Sequence, residues 1–269
     1  MREIMPEVCM VGSDLVMSKN KEDDSHEIVE FFMLLANQYV ASTLDAKNDV
    51  MFPRRVHPPA FDLKKLDYAR KVNLPDFCPP EFRVFLMLKC LPAVYYSTEK
   101  GSHFALNMSN YTHFTSPIRR YIDVVNHRLL FGDYQYTQEE LDKICTEANE
   151  EDAKVRQAEQ LKYNLQQCEW AEQHLQDTFT GIVYNISFKG ISVYIVENSN
   201  TYTFRLTEVG HAYRQFFSYA QTNSDGSDGH HDQPPQPQLV GKTRRIQLYN
   251  KVKLKIVSFL NKVVYKIVA

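Results

Sequence analysis

The sequence predicts an α+β chain, with helices and short strands first and a small β-barrel after them. Three observations carry this prediction. Apolar residues recur with helical period through 25–44 and again through 118–129. A long polar stretch, 137–176, opens on Thr137 with Glu140 three residues later, the pattern of a capping box. After Asp177 the period shifts to short alternating runs, with Gly181 and Gly190 expected at bends.

Taken in order, 8–17 reads as a strand and 19–24 as a polar turn. Glu22, Asp23, Asp24, Glu27 and Glu30 lead into a helix, and Asp24 with Glu27 fits a helix start better than a metal site. In the helix over 25–44, Ile28, Phe32, Leu35 and Tyr39 share an apolar face, while Glu30 and Asn37 share another. Residues 52–59 read as loop, 61–72 as a short helix and 75–80 as a break. The helix over 80–91 carries Phe82, Phe85, Leu86 and Leu88 as core residues. Short extended segments at 94–96 and 103–106 follow.

The stretch 102–131 concentrates the chemistry. Tyr111-Thr112-His113-Phe114-Thr115 has no helical period. Ser116 is the expected N-cap, Pro117 the first helical residue, and Gly132 the left-handed C-cap. Ile118, Tyr121, Ile122, Val125 and Leu129 form the stripe that faces a core. Arg119 and Arg120 then fall in the first turn, where the macrodipole disfavours a cation by a few tenths of a kcal/mol. Two readings follow. Either the guanidiniums, with the Thr115 and Ser116 hydroxyls, meet a phosphate, or Arg119 pairs with Asp123 at i+4 on a solvated face.

Beyond 137–176, which reads as one long or two consecutive helices, FTGIVYNI, KGISVYIV and TYTFRLT are strand-like, and VKLKIVSFL with KVVYKIVA forms a closing hairpin around Asn261-Lys262. Five such runs fit an OB-fold barrel. Phe188 and Tyr194 either stack bases or fill the barrel. Residues 218–240, which include SDGSDGHHDQPPQPQ, are expected to be a disordered insertion, and His230-His231 has no convergent partners there. The expected division is 1–135, a helical connector 136–177, and a barrel 178–269.

Composition narrows the class. With 43% hydrophobic and 24% charged residues in 269, the chain supports one large or two modest cores. No apolar run reaches the roughly 18 residues of a membrane helix, and no signal-peptide pattern opens the chain. Cys9, Cys78, Cys90, Cys145 and Cys168 are scattered without a C-x-x-C pair, which points to reduced thiols, a cytoplasmic or nuclear location, and no zinc site. The net charge of −2 hides an asymmetry: 139–177 holds eleven acidic and four basic residues, while 239–269 holds eight basic and none acidic. That basic end is either a nucleic-acid surface or lysine protection of an edge strand.

YTHFTSPIRRYIDVVNHRLL resembles the signature segment of the RNase II (RNB) family of 3′-to-5′ exoribonucleases, and HFALNMSNYTHFTSPIRRY resembles its eukaryotic branch most closely. Within that branch, the lack of a crisp glycine pattern in the barrel makes the chain most similar to the Dis-three-like enzymes. EIVEFFMLLANQYVA resembles the family segment I-V-E-E-F-M-L-L-A-N, with Glu30 at the first acid and Phe31 replacing the second. The resemblance implies the C-terminal portion of an RNB catalytic domain followed by an OB-fold barrel. It implies hydrolysis of single-stranded RNA from its 3′ end, releasing nucleoside 5′-monophosphates with magnesium.

The resemblance implies that Arg119 takes the role of the family's arginine beside the scissile phosphate, which makes it the candidate catalytic residue. Glu30, Asn37, His103, Tyr111, Thr112, His113, Thr115, Ser116 and Arg120 are candidate RNA contacts, as are Lys251, Lys253 and Lys255 on the barrel. The family's D-x-D-D-A-like metal motif is absent from the 269 residues. No metal ligand is therefore assigned here, the magnesium ligands are expected outside this chain, and a missing N-terminal half is an expected partner. A catalytically silent RNA-binding module and an adaptor are the alternative functions. No membrane association is expected.

Overall fold

Helix α1 (Asp24–Ala46) buries Asn37, Val40, Ala41 and Leu44, all in its second half. The face expected from the sequence is instead turned out: Ile28, Phe32, Leu35 and Tyr39 are 50–71% exposed. Apolar residues sit all round this helix, so periodicity alone does not choose its packed face. The computed structural model describes residues 7–11, 14–18, 24–47, 50–132, 134–187, 190–205, 216–219, 237–240, 245–258 and 263–268.

Two compact units make up the chain, each discontinuous in sequence. One comprises Lys21–Lys71 and Met87–Gln160, the other Met1–Asn20, Val72–Leu86 and Leu161–Ala269. The division therefore does not follow chain order as expected, because 72–86 belongs with the barrel residues.

In the helical unit, Val40, Ala41 and Leu44 pack with Phe52, Val125, Leu129 and Leu141. Strands β3 (Arg54–Val56) and β4 (Tyr95–Ser97) pair antiparallel, from Arg54 opposite Ser97 to Val56 opposite Tyr95. Helix α2 (Leu63–Lys71) is opened by Asp62, whose Oδ1 accepts from Lys64 N at 3.0 Å and Lys65 N at 3.1 Å. The segment at 103–106 is not extended throughout: His103 is, but Phe104–Leu106 is a 3-10 turn, its first-turn N–H taken by the His103 ring. Helix α4 (Tyr121–Phe131) ends on Gly132 at φ +77, as the sequence predicts. Helix α5 (Gln138–Gln173) is one continuous helix. Its capping box is formed, with Glu140 N to Thr137 Oγ1 at 3.2 Å and Thr137 N to Glu140 Oε2 at 2.8 Å.

In the barrel unit, the expected single strand at 8–17 is a hairpin of β1 (Glu7–Val11) and β2 (Asp14–Ser18). Strands β5 (Phe179–Ser187), β6 (Gly190–Ile195), β7 (Thr201–Arg205), β11 (Lys251–Ser258) and β12 (Val264–Val268) form an OB-like antiparallel sheet. Its order is β12-β11-β5-β6-β7. Phe179, Val183, Ile191, Val193, Phe204, Val252, Leu254 and Ile256 fill its inner face together with Trp170 and Ala171 of α5.

Gly190 does mark a bend, at φ +153, and a Cβ there would meet Phe204 O at 1.9 Å. Gly181 lies inside β5, where a Cβ would meet Val193 at 2.4 Å, so it serves close packing and not a bend. Helix α3 (Pro80–Leu88) covers the outer face, with Phe82 and Phe85 5.2 and 5.0 Å from the Tyr194 ring. Tyr194 is thereby buried and offers no stacking surface. Phe188 and the turn at Asn261-Lys262 lie outside the described residues.

A three-stranded sheet, β8 (Phe216–Tyr219), β9 (Pro237–Val240) and β10 (Arg245–Gln247), occupies both ends of the stretch expected to be disordered. FFSY and PQLV pair from Phe216 opposite Val240 to Tyr219 opposite Pro237. Extended pairing needs little length, so the flanks of a low-complexity run can satisfy each other's backbone groups. Residues 220–236, with His230 and His231, lie outside the described residues.

Candidate nucleic-acid interface

The helix after Ser116-Pro117 starts later than its caps suggest. Residues 117–119 form a turn, Arg120 is the N-cap at φ −133, and α4 begins at Tyr121. Asp123 explains the shift. This carboxylate is fully buried and accepts from Ser116 N at 2.7 Å and from Arg120 Nη2 at 2.8 Å. It thus folds the turn back over the first helical residues. Ile118 is fully exposed and Tyr121 is 56% exposed, so the buried stripe is Ile122, Val125 and Leu129 only.

The two arginines consequently have different places. Arg120 is the one that pairs with Asp123, at i+3, and only 18% of its side chain is exposed. Arg119 is exposed, and its guanidinium has no hydrogen-bond or ion-pair partner among the described residues. It projects from the turn just ahead of a helix whose N-cap residue makes no side-chain capping bond. Uncapped N–H groups at a helix start and a free guanidinium beside them are the elements of an anion site.

The polar residues upstream are interior. Asn37 donates from Nδ2 to Tyr111 Oη at 2.9 Å and accepts from Phe114 N at 2.9 Å, so both ends of its buried amide are used. Thr112 donates to Pro53 O at 2.5 Å and accepts from Asn126 Nδ2 at 2.8 Å. His113 Nδ1 and Tyr96 Oη are hydrogen-bonded at 2.7 Å. His127 stacks on Phe114 at 3.7 Å and donates from Nε2 to its carbonyl at 3.0 Å.

The rings of His57, His103, Tyr111, His113 and Tyr96 follow one another at 5.1, 5.2, 5.7 and 5.7 Å. Burial holds His113 down at about 2, with Arg120 and Arg55 adding to the effect, and holds His103 at about 4, aided by His57. Burial also pushes Tyr96 up to about 12. These are neutral groups near neutral pH, arranged as scaffold.

The sequence candidates therefore separate. The structure joins Asn37, Tyr111, Thr112 and His113 into one internal network that holds the turn, with His103 packed on the Tyr111 ring. Thr115 Oγ1 is also buried, so this hydroxyl is not presented to an outside phosphate. Ser116 gives its N–H to Asp123. Glu30 lies exposed on α1. Lys251, Lys253 and Lys255 belong to the barrel unit.

Sequence reasoning missed Asn126, and it gave Asp123 to Arg119 on a solvated face where the structure buries it against Arg120. The signal for Asn126 was present: it follows Ile122 by four positions and so falls on the buried stripe, where a polar side chain must find partners. Among the described residues no group of three or more His, Cys, Asp or Glu side chains converges on a metal position.

Residues 5–133 match the profile of the RNB domain. That stretch is similar to the RNB domain over just under half of the chain. The chain is similar to Ribonuclease R of Chlamydia pneumoniae, with 29% identity over 227 residues, 73% of this chain and 33% of that protein. A solved structure of Mycoplasma genitalium RNase R in complex with ribose-methylated single-stranded RNA shares the fold. Its TM-score is 0.71 at 24% identity, over 92% of this chain and 42% of the other. The Dss1 exoribonuclease of Candida glabrata, solved as an active-site mutant, superposes with a TM-score of 0.68 at 16% identity, over 99% of this chain and 32% of the other. The chain spans about a third of the length of the Ribonuclease R relative. The fold, helices with short strands followed by a small OB-type barrel, is the one these structures share.

Proposed function

We propose that this chain is part of a 3′-to-5′ exoribonuclease of the RNB family, and that Arg119 neutralises charge on the phosphate undergoing hydrolysis. The observation that carries the reading is the division of labour between the arginines. Arg120 is committed to buried Asp123, and Arg119 is left exposed on a turn fixed from beneath. A preorganised cation at a developing negative charge contributes more to turnover than to binding.

Magnesium and the acidic side chains that hold it come from outside the described residues, in a further portion of the enzyme. Single-stranded RNA is the substrate, and Glu30 faces its terminal nucleotide from the exposed side of α1. The Dis-three-like branch is the finer assignment: HFALNMSNYTHFTSPIRRY supports the eukaryotic branch, and the lack of a crisp barrel glycine pattern supports the Dis-three-like enzymes within it. We place the protein in the cytoplasm or nucleus, in keeping with free thiols at Cys78, Cys90, Cys145 and Cys168. Among the described residues no helix is long and apolar enough to cross a membrane.

The test compares variants in an enzyme completed by a segment bearing the acidic metal cluster. Arg119→Ala should lower kcat by roughly two to three orders of magnitude, the effect of losing a preorganised charge-stabilising group. RNA affinity should fall much less. Arg119→Lys should restore only part of the rate, because an ammonium lacks the guanidinium fork. Equal loss of affinity and rate would make Arg119 an anchor for the strand and not a catalytic group. Without that segment, the chain with magnesium should release no nucleoside monophosphate.

A further inference from the structure

The face that α1 turns to solvent has the spacing of a helix-pairing seam. Its packed side is Asn37, Val40, Ala41 and Leu44. On the opposite side Ile28, Phe32, Leu35 and Tyr39 succeed one another at intervals of four, three and four residues, and each is half or more exposed. This is the a/d spacing of a coiled coil. Val29 and Phe31, also more than half exposed, flank the seam, and the Phe31 and Phe32 rings meet edge to face at 5.6 Å. A solvated helix face ordinarily carries charge, yet from Phe31 to Leu44 this helix has no charged residue.

Six side chains of this size present on the order of 600 Å² of apolar surface, at the top of the range that monomers leave bare. Two copies joined here bury about 1,200 Å² together, the lower bound of a specific interface. The seam is also self-complementary. A two-fold axis crossing the helix between Phe32 and Leu35 sets Ile28 of one copy against Tyr39 of the other, and Phe32 against Leu35. Every layer then faces an aliphatic side chain with an aromatic one. Parallel pairing would stack Tyr39 on Tyr39 and gather Asp24, Glu27 and Glu30 of both copies at one end, where like charges repel. Antiparallel pairing separates those acids and opposes the two helix macrodipoles.

We propose that α1 pairs antiparallel with α1 of a second copy of this chain, forming a two-fold dimer through Ile28, Phe32, Leu35 and Tyr39. Glu30 precedes Asn37 by seven positions and so shares its side of the helix, away from the seam. The dimer thus leaves Glu30 clear, uses no residue of the Arg119 turn, and does not rest on the nuclease reading.

The experiment is sedimentation velocity of the 269-residue chain from about 1 to about 100 µM, where an interface of this size should show a monomer–dimer equilibrium. The double variant Phe32→Glu, Leu35→Glu should weaken association at least about thirty-fold, the effect of losing one interface hot spot. Ile28→Lys and Tyr39→Asp should each weaken it alone. Combined in one chain, the two new charges oppose each other across the two-fold axis, twice per dimer, and should restore association. Within one helix these positions are about 16 Å apart and cannot pair. All the substituted side chains are exposed, and far-ultraviolet circular dichroism checks that the variants fold.

A chain that stays monomeric at about 100 µM would overturn the proposal. So would association that Phe32→Glu, Leu35→Glu does not move, or a charge-pair variant no stronger than either single one, the result a parallel pair gives. If a monomeric chain instead bound a segment bearing the acidic metal cluster, and did so only with Phe32 and Leu35 intact, the face would belong to that segment and the second copy would be excluded. Arg119→Ala should leave the dimer unchanged, so failure at the signature turn and failure here give different results.

Discussion

Asn37 donates a 2.9 Å hydrogen bond to the Tyr111 hydroxyl across 74 positions of sequence, and its oxygen accepts the Phe114 N–H at 2.9 Å. One side chain thus ties α1 to both ends of the Tyr111–Phe114 strip. Removing it leaves a buried hydroxyl and a backbone N–H unpaired, each costing about 1–3 kcal/mol. Asn37→Ala should therefore lower unfolding free energy by about 2–4 kcal/mol, and Tyr111→Phe by about 1–2 kcal/mol. In urea denaturation the double variant should fall short of additivity by about 1 kcal/mol. Strict additivity would mean the two side chains act independently.

Arg119 and Arg120 are adjacent, yet their alanine variants should behave in opposite ways. Arg120→Ala strands the buried Asp123 carboxylate, which keeps only the Ser116 N–H. Loss of one partner of a buried pair costs about 3–5 kcal/mol, and the partial exposure of Arg120 brings the expectation to about 2–4 kcal/mol. Arg119→Ala touches an exposed side chain and should shift stability by less than about 0.5 kcal/mol. Thermal unfolding of the two variants checks this directly. Equal destabilisation would remove the distinction on which the role of Arg119 depends.

Acid should destabilise the helical unit through its buried histidines. The folded-state value of His113 is held at about 2 and that of His103 at about 4. An unfolded histidine titrates near 6.5. Below about 6.5 the unfolded chain binds protons that the folded chain refuses, so stability is full above that pH and falls on acidification. Between about pH 6 and 5 each such group should contribute a slope of up to about 1.4 kcal/mol per pH unit. His113→Gln keeps an acceptor for Tyr96 and should flatten the profile of denaturation midpoints against pH. An unaltered slope would show that His113 accepts a proton in the folded protein.

Much of the fold was legible where one local rule acted alone. The Thr137/Glu140 box, the Gly132 cap and the alternating runs after Asp177 each specify geometry through neighbours in sequence. Errors came where long-range partners decide. Periodicity in α1 offered several apolar faces, and the face containing Asn37 was selected by Tyr111 and Phe114. Ser116-Pro117 reads as a helix start, but Asp123, seven residues on, accepts the Ser116 N–H and turns the segment into a loop. For the site, the sequence located the signature stretch and gave no way to tell scaffold from surface within it. Tyr111, Thr112 and His113 carry the same chemistry whether they face RNA or each other, and burial alone separates them from Arg119.

The central claim is that the exposed turn at Arg119 holds the RNA 3′ end, and photocrosslinking of the 269-residue chain tests it most directly. A single-stranded RNA carrying 4-thiouridine at its 3′ terminus is irradiated with the protein, and the attached peptides are mapped by mass spectrometry. The account predicts crosslinks within residues 116–121 or on the exposed face of α1 around Glu30, reduced at least several-fold by Arg119→Ala and little changed by an internal thiouridine competitor. Crosslinks confined to the barrel, or a pattern that Arg119→Ala does not alter, would contradict it.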